Sequence, residues 1–194
     1  MSKKRFLLIG SAPYMPEWWG RRGRRIREEG YVLAAINNAW RVPEEPPDIW
    51  IHPIDYYRKS PEEMHPPASV VARMWEVGAA LYRERYGAPV TYTKRHGGTM
   101  LLNALTFLLN ISVADGGGGC EIIISGCDLH YPASGTHFYS GGTPDALRAG
   151  VEWIREDLLD IHERQLPALR SAGHVLDVYN ASPLPESVLP FPRI

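Results

Sequence analysis

Short, unbroken apolar runs recur along this chain, and each closes on a glycine, amide, imidazole or acid. Phe6–Ile9 ends at Gly10, Tyr31–Ile36 at Asn37 and Asn38, and Asp48–His52 at Pro53. Glu121–Ile124 runs into Ser125, Gly126, Cys127 and Asp128. Runs of this length, rich in Ile, Leu, Val and aromatic residues, predict strands buried on both faces. Pro89–Thr93 alternates instead and predicts a strand nearer an edge, and His174–Val178 predicts a sixth.

Between these runs the period changes to that of a helix. Arg21–Glu29 predicts a helix stopped at Gly30, after a loop over residues 11–20. Ser60–Glu63 resembles a helix start, and Ala68–Tyr86 predicts a helix closed by Gly87. Thr99–Ser112 is apolar on nearly every side, so it packs between layers. Thr143-Pro144-Asp145 opens a long amphipathic helix to about Arg164, and Pro167–Ala172 finishes that connection. The glycine run at 116–119 reads as a spacer before a strand. Strands alternating with helices predict one α/β domain with a Rossmann-like, doubly wound, mostly parallel sheet of about six strands and helices on both faces. Residues 54–88 read as a variable insert and 180–194 as a proline-rich tail over the surface.

Composition narrows the function without naming it. The 194 residues suffice for one self-sufficient core. The formal net charge of −1 argues against a general nucleic-acid binder, which needs a basic surplus. The arginines between Arg21 and Arg27 read as a solvated helix face tempered by Glu28 and Glu29. The N-terminal apolar run is shorter than a signal-peptide core, and no run approaches a membrane span. Cys120 and Cys127 bracket a strand whose seven steps of ~3.3 Å hold them beyond disulfide reach, so both are expected reduced, as suits a cytoplasmic protein.

In a doubly wound sheet, ligands bind beyond the strand carboxyl ends, where the strand order reverses. The residues there are therefore the candidate ligand-binding set. They are Gly10, Ser11 and Pro13; Asn37 and Asn38; His52 and Asp55; Gly97, Gly98 and Thr99; and Gly126 and Asp128. Gly97-Gly98-Thr99 at a helix start offers backbone N–H groups to an anion, and Thr99 is equally an N-cap. Asp128 suits a turn cap or a ribose hydroxyl. The segment GSAPYM at 10–15 is not a dinucleotide fingerprint. His130, Tyr131, His137 and Tyr139 crowd one glycine-rich loop that reads as an active-site loop. Trp18 and Trp19 fall in the first loop, where exposed rings stack on a base or sugar, or seal an interface.

Taken in order, LLIGSAP, AINNAW, HGGTMLLNAL and IIISGCDLHYP resemble the bacterial lipooligosaccharide sialyltransferases and a related group of phage and bacterial proteins, over most of the chain. The resemblance implies a Rossmann-like glycosyltransferase that binds a CMP-linked sugar without a metal and holds no tightly bound cofactor. It places Gly10, Ser11 and Pro13 near the phosphates or sugar, and Asn37 near the donor. Gly98 and Thr99 approach the nucleotide, and Gly126 and Asp128 its ribose or base. Tyr131 and the 134–142 loop cover the leaving phosphate. Where the family carries its catalytic histidine this chain has Gly141, which leaves His137 or His130 to serve as base. In that reading Tyr131, Tyr139 and the Gly98-Thr99 helix start stabilise the departing phosphate.

The same strand-end pattern is similar to the hydroxymethylpterin diphosphokinase-like family. That alternative needs Mg²⁺, with Asp55 and Asp128 near the phosphates. A third alternative is a non-catalytic, phage-type accessory module that keeps the fold. The expected partner is a small nucleotide ligand, with self-association left open.

Overall fold

The computed structural model describes residues 3–53, 56, 62, 65–71, 74–76, 99–114, 119–130, 137–138 and 151–194. Among the described residues six parallel strands make one sheet: β1 (Lys4–Ile9), β2 (Val32–Ile36), β3 (Ile49–His52), β4 (Met74–Glu76), β5 (Cys120–Ser125) and β6 (Leu176–Asn180). Their order across the sheet is β4-β3-β2-β1-β5-β6. The strands step one way from β1 to β4 and the other way through β5 and β6. The order therefore reverses between β1 and β5, which is where a doubly wound sheet places its ligand crevice. The α/β, Rossmann-like expectation holds. Five strands carry the sheet, and β4 adds a three-residue edge.

Alternation along β1 divides the core. Phe6 and Leu8 face one layer, Leu7 and Ile9 the other, and all four are buried. On the first face lies α3 (Met100–Ala114), with ten buried residues along its length. Beside it lies the helical stretch 151–171, here α4, whose buried residues Ile154, Leu158, Ile161 and Leu166 supply the rest of that layer. The opposite face is covered by the helical stretch 15–28, here α1, through Met15, Trp18, Trp19 and Ile26. A four-residue helix, α2 (Ala68–Val71), precedes β4.

Both long amphipathic stretches contain a π-helical turn, and the burial pattern explains where. In α4 the apolar spacing is 4, 3 and then 5 residues, and the π turn Ile161–Gln165 takes up the extra residue so that Leu166 still faces the sheet. In α1 the turn Trp19–Gly23 lets the adjacent Trp18 and Trp19 both go in. Gly23 makes this possible, because a Cβ there would lie 2.4 Å from the Trp19 ring. The exposure expected of Trp18 and Trp19 is thus corrected: they are 5% and 4% exposed and belong to the core.

Two further expectations change. Residues 15–20 were expected in a loop but are helical; Pro16 in the first turn and Glu17 beside it are the start signals. The helix expected over Ala68–Tyr86 stops at Val71, and Met74–Glu76 pairs with β3 instead. Trp75 is a strand-favouring residue, and Met74–Glu76 find a partner in Trp50–His52. The strand expected at Pro89–Thr93 and the start of the helix at 143–145 lie outside the described residues. β6 begins at Leu176, two residues later than expected.

At the amino ends of the strands, the Lys3 ammonium bridges Glu121 (2.9 Å) and Asp177 (2.8 Å). Burial works against ionisation of Glu121, but the Tyr31 hydroxyl and Lys3 outweigh it and hold its carboxyl below the ordinary range. A depressed folded pKa gives stability that is present above the unfolded value and lost as pH falls through the folded one. Glu121→Gln is therefore expected to cost about 0.5 kcal/mol at neutral pH, after solvent screening, and nothing at acid pH. Urea midpoints of both proteins at the two pH values check this; an equal gap at both would remove the ion pair as its cause.

Candidate functional site

The loops after β1 and β5 meet at the switch point backbone to backbone, with the Met15 and Cys127 side chains packed against the two glycines there. A Cβ on Gly10 would lie 2.1 Å from the Gly126 carbonyl oxygen and 2.6 Å from Cys127 Sγ. Gly126 has φ +74, and a Cβ there would lie 2.8 Å from the Gly10 carbonyl. The Gly10 N–H donates to the Ser125 carbonyl (2.8 Å) and the Ala12 N–H to the Gly126 carbonyl (3.2 Å). Both glycines are thus needed for backbone to approach backbone.

Asp128 sits at the centre of this junction and is 3% exposed. Its Oδ2 accepts a hydrogen bond from the Tyr14 hydroxyl at 2.6 Å. Its Oδ1 is buried with no hydrogen-bond partner among the described residues. A buried carboxylate oxygen left without a donor is costly in a finished core and expected where a ligand supplies the donor. Tyr14 is pinned from several sides. Its oxygen accepts from the Gly126 N–H (2.9 Å) and lies 3.3 Å from Ser182 Oγ. Burial first, and then the Asp128 charge, push the Tyr14 phenol well above its ordinary range, so it stays a donor. Neither Tyr14 nor Ser182 stands out in the sequence. The one signal for Tyr14 is its place five residues beyond a buried strand, and for Ser182 there is none.

Ser11 and His137 form the second feature. Ser11 is 7% exposed, and its Oγ lies 2.7 Å from His137 Nδ1. The Phe138 N–H donates to the Ser11 carbonyl (3.1 Å), and the Phe138 ring packs on the α1-side core. His137, distant in sequence, is thereby fixed against the loop after β1.

Asn37 occupies the end of β2 with φ 48. Its carbonyl accepts from Trp50 Nε1 (2.7 Å), while its Oδ1 is buried without a partner among the described residues. Asn37 and Leu129 (φ 54) are the non-glycine residues in the left-handed region among those described. Both lie just beyond strand carboxyl ends, those of β2 and β5, on either side of β1. Such conformations cost about 1–2 kcal/mol and gather at functional sites.

The other candidates are placed differently. Asn38 is buried and its Oδ1 accepts from the Tyr56 hydroxyl. His52 is fully buried, stacked on Trp50 with ring centroids 4.2 Å apart, with Nδ1 2.8 Å from the Pro53 carbonyl. These two belong to an aromatic cluster behind β3. Thr99 Oγ1 accepts from the Leu102 N–H (3.3 Å), which makes it the cap of α3. Pro13 and His130 are exposed. Asp55, Gly97, Gly98, Tyr131, Tyr139 and Gly141 lie outside the described residues. No cluster of metal-ligating side chains occurs among the described residues.

Most arginines of α1 have a carboxylate beside them. Arg21 pairs with Glu17, Arg24 with Glu44 and Arg27 with Asp48, while Arg22 donates to the Ile194 carbonyl. This agrees with a solvated helix face. A cavity of about 750 Å³ opens at the opposite, amino-terminal edge, between Lys3–Phe6, Gly30, Val32 and Ile111. Its Lys3 and Arg5 are already held, by carboxylates and by the Glu29 carbonyl with the Tyr31 ring. Of the buried polar atoms without a partner among the described residues, Asn37 Oδ1 and Asp128 Oδ1 lie beyond the carboxyl ends of β2 and β5, and Trp18 Nε1 and Trp40 Nε1 lie elsewhere; the two oxygens mark the candidate site.

No helix among the described residues is long and apolar enough to cross a membrane. Cys120 and Cys127 are free and buried, and burial pushes both thiols up, Cys120 to about 11. No family model matches the chain, and neither a characterised protein nor a solved structure matches it.

Proposed function

We propose that the crevice between the ends of β1 and β5 binds a nucleotide-type ligand, and that the chain is a metal-independent, glycosyltransferase-like enzyme using a CMP-linked sugar. The observation that carries the binding reading is the buried Asp128 Oδ1, which has no hydrogen-bond donor among the described residues, at the junction where Gly10 and Gly126 bring the ends of β1 and β5 together. The resemblance of LLIGSAP, AINNAW and IIISGCDLHYP to the sialyltransferases supplies the donor class.

The Ser11–His137 pair supplies the chemistry. In the tautomer that donates Nδ1–H to Ser11 Oγ, His137 Nε2 is the basic nitrogen. It takes the proton of the acceptor hydroxyl as that oxygen bonds to the anomeric carbon. The bond from that carbon to the phosphate oxygen breaks, and the nucleotide leaves with the electron pair.

A second reading draws on the same oxygen. A buried Asp128 Oδ1 without a partner among the described residues also suits Mg²⁺ in a diphosphokinase-like enzyme. A thermal-shift panel of CMP, CDP, UDP, GDP and ATP, each with and without Mg²⁺, separates the two. A ligand at about 100 times its Kd adds ~2.7 kcal/mol, which raises Tm by roughly 5–11 °C in a chain of this size. The first reading expects that rise with CMP or CDP, indifferent to Mg²⁺. A rise only with ATP or GDP plus Mg²⁺ favours the second. No rise with any of them overturns both and leaves an accessory module.

A further inference from the structure

Residues 181–194 come back from the β6 edge and reach the crevice. They are anchored at both ends. The Ala181 N–H donates to the Ile124 carbonyl (2.8 Å), the Asn180 N–H to the Pro192 carbonyl (2.8 Å), and the Ile194 N–H to the Asn180 carbonyl (3.1 Å). Leu189 and Phe191 are buried in the α3-side core.

Between the anchors, two contacts lead to Asp128. The Val188 N–H donates to the Asp128 carbonyl (3.2 Å). Ser182 Oγ accepts from the Leu184 N–H (3.0 Å) and lies 3.3 Å from the Tyr14 oxygen. Tyr14 has one hydroxyl proton, and the 2.6 Å contact to Asp128 Oδ2 takes it, so Ser182 gives its own proton to Tyr14. Asp128 is therefore held from its main chain and, through Tyr14, from its side chain. The next residue, Leu129, sits in a left-handed conformation that its side chain does not favour and that this bracing maintains.

We propose that the C-terminal segment is a positioning element of the crevice, coupled to ligand binding: it sets the Asp128 carboxylate so that Oδ1 faces the ligand. The proposal rests on the reading of the crevice as the nucleotide site. Coupling of this kind is reciprocal, so a ligand that uses the braced Asp128 must in turn tighten the segment.

The test is hydrogen exchange on the full chain with and without CMP, together with CMP titrations of wild type, Ser182→Ala, Ser182→Thr and Tyr14→Phe. CMP is expected to slow exchange across 181–190, the Val188 amide included. Ser182→Ala is expected to bind CMP about threefold to tenfold more weakly, as befits the lost hydrogen bond to Tyr14, Tyr14→Phe more weakly still because its hydroxyl makes three, and Ser182→Thr is expected to restore most of the Ser182→Ala loss. CMP binding that leaves exchange in 181–190 unchanged, or wild-type affinity in Ser182→Ala, overturns the coupling alone. Failure of wild type to bind CMP overturns the reading of the crevice, and the coupling falls with it.

Discussion

Gly10→Ala is expected to lower the melting temperature by about 6–12 °C, while Gly20→Ala leaves it unchanged or slightly raised. The new methyl at position 10 would sit 2.1 Å from a main-chain oxygen and 2.6 Å from a buried sulfur. Neither is the movable end of a flexible side chain. The oxygen is bonded to the Ala12 N–H, and its residue, Gly126, has a φ that other residues rarely adopt. The clash must therefore push β1 and β5 apart at their ends, which costs roughly 3 kcal/mol or more. At Gly20 a methyl would meet nothing within 4 Å, and the position is helical. There alanine gains about 0.5–1 kcal/mol in helix propensity. Thermal melts of both variants beside wild type settle the matter, and equal melting temperatures for the two would refute the close approach at the switch point.

His137→Ala is expected to lower turnover about 10²–10⁴-fold, the usual worth of a positioned general base, with CMP affinity little changed. His137 is half-buried and held at Nδ1 by Ser11, and in the proposed mechanism its loss removes the proton acceptor. Ser11→Ala should fall in between, because the imidazole remains but its tautomer and orientation are no longer set. Single-turnover measurements on a CMP-sugar, alongside CMP titrations, separate the two effects. A loss of less than tenfold in His137→Ala would take the residue out of the role of base. A parallel collapse of CMP affinity would make it a binding residue instead.

The sheet was legible because four of its strands, β1, β2, β3 and β5, are buried on both faces, and burial writes itself as an unbroken apolar run, while β6 alternates. β1 (FLLI) and β5 (EIIIS) are read within two residues of their ends. The fold also told which ends to search, and that brought Gly10, Ser11, Gly126 and Asp128 to one junction. What the sequence could not carry is pairing at a distance. Ser11 meets His137 across 126 positions and Tyr14 meets Ser182 across 168, and no local pattern encodes either. Conversely, Asn38, His52 and Thr99 look like ligand groups in a list of strand ends. Their hydrogen bonds and packing are spent on Tyr56, Trp50 and the first turn of α3. The helix start at Met15 was hidden because Gly20, normally a breaker, lies inside a π turn that lets two tryptophans enter the same core.

The return of the chain end to β6 has a consequence for behaviour in concentrated solution. Among the described residues β6 is the last strand on its side of the sheet, and a bare last strand offers unpaired N–H and C=O groups to any other chain. Here Asn180 pairs with the chain's own Pro192 and Ile194, and the covering segment carries prolines at 190 and 192, which have no N–H to offer outward. Arg193 adds a charge there and is itself fastened to the Leu184 and Pro185 carbonyls. The segment that braces the crevice thus also shields the carboxyl end of β6 from edge-to-edge aggregation.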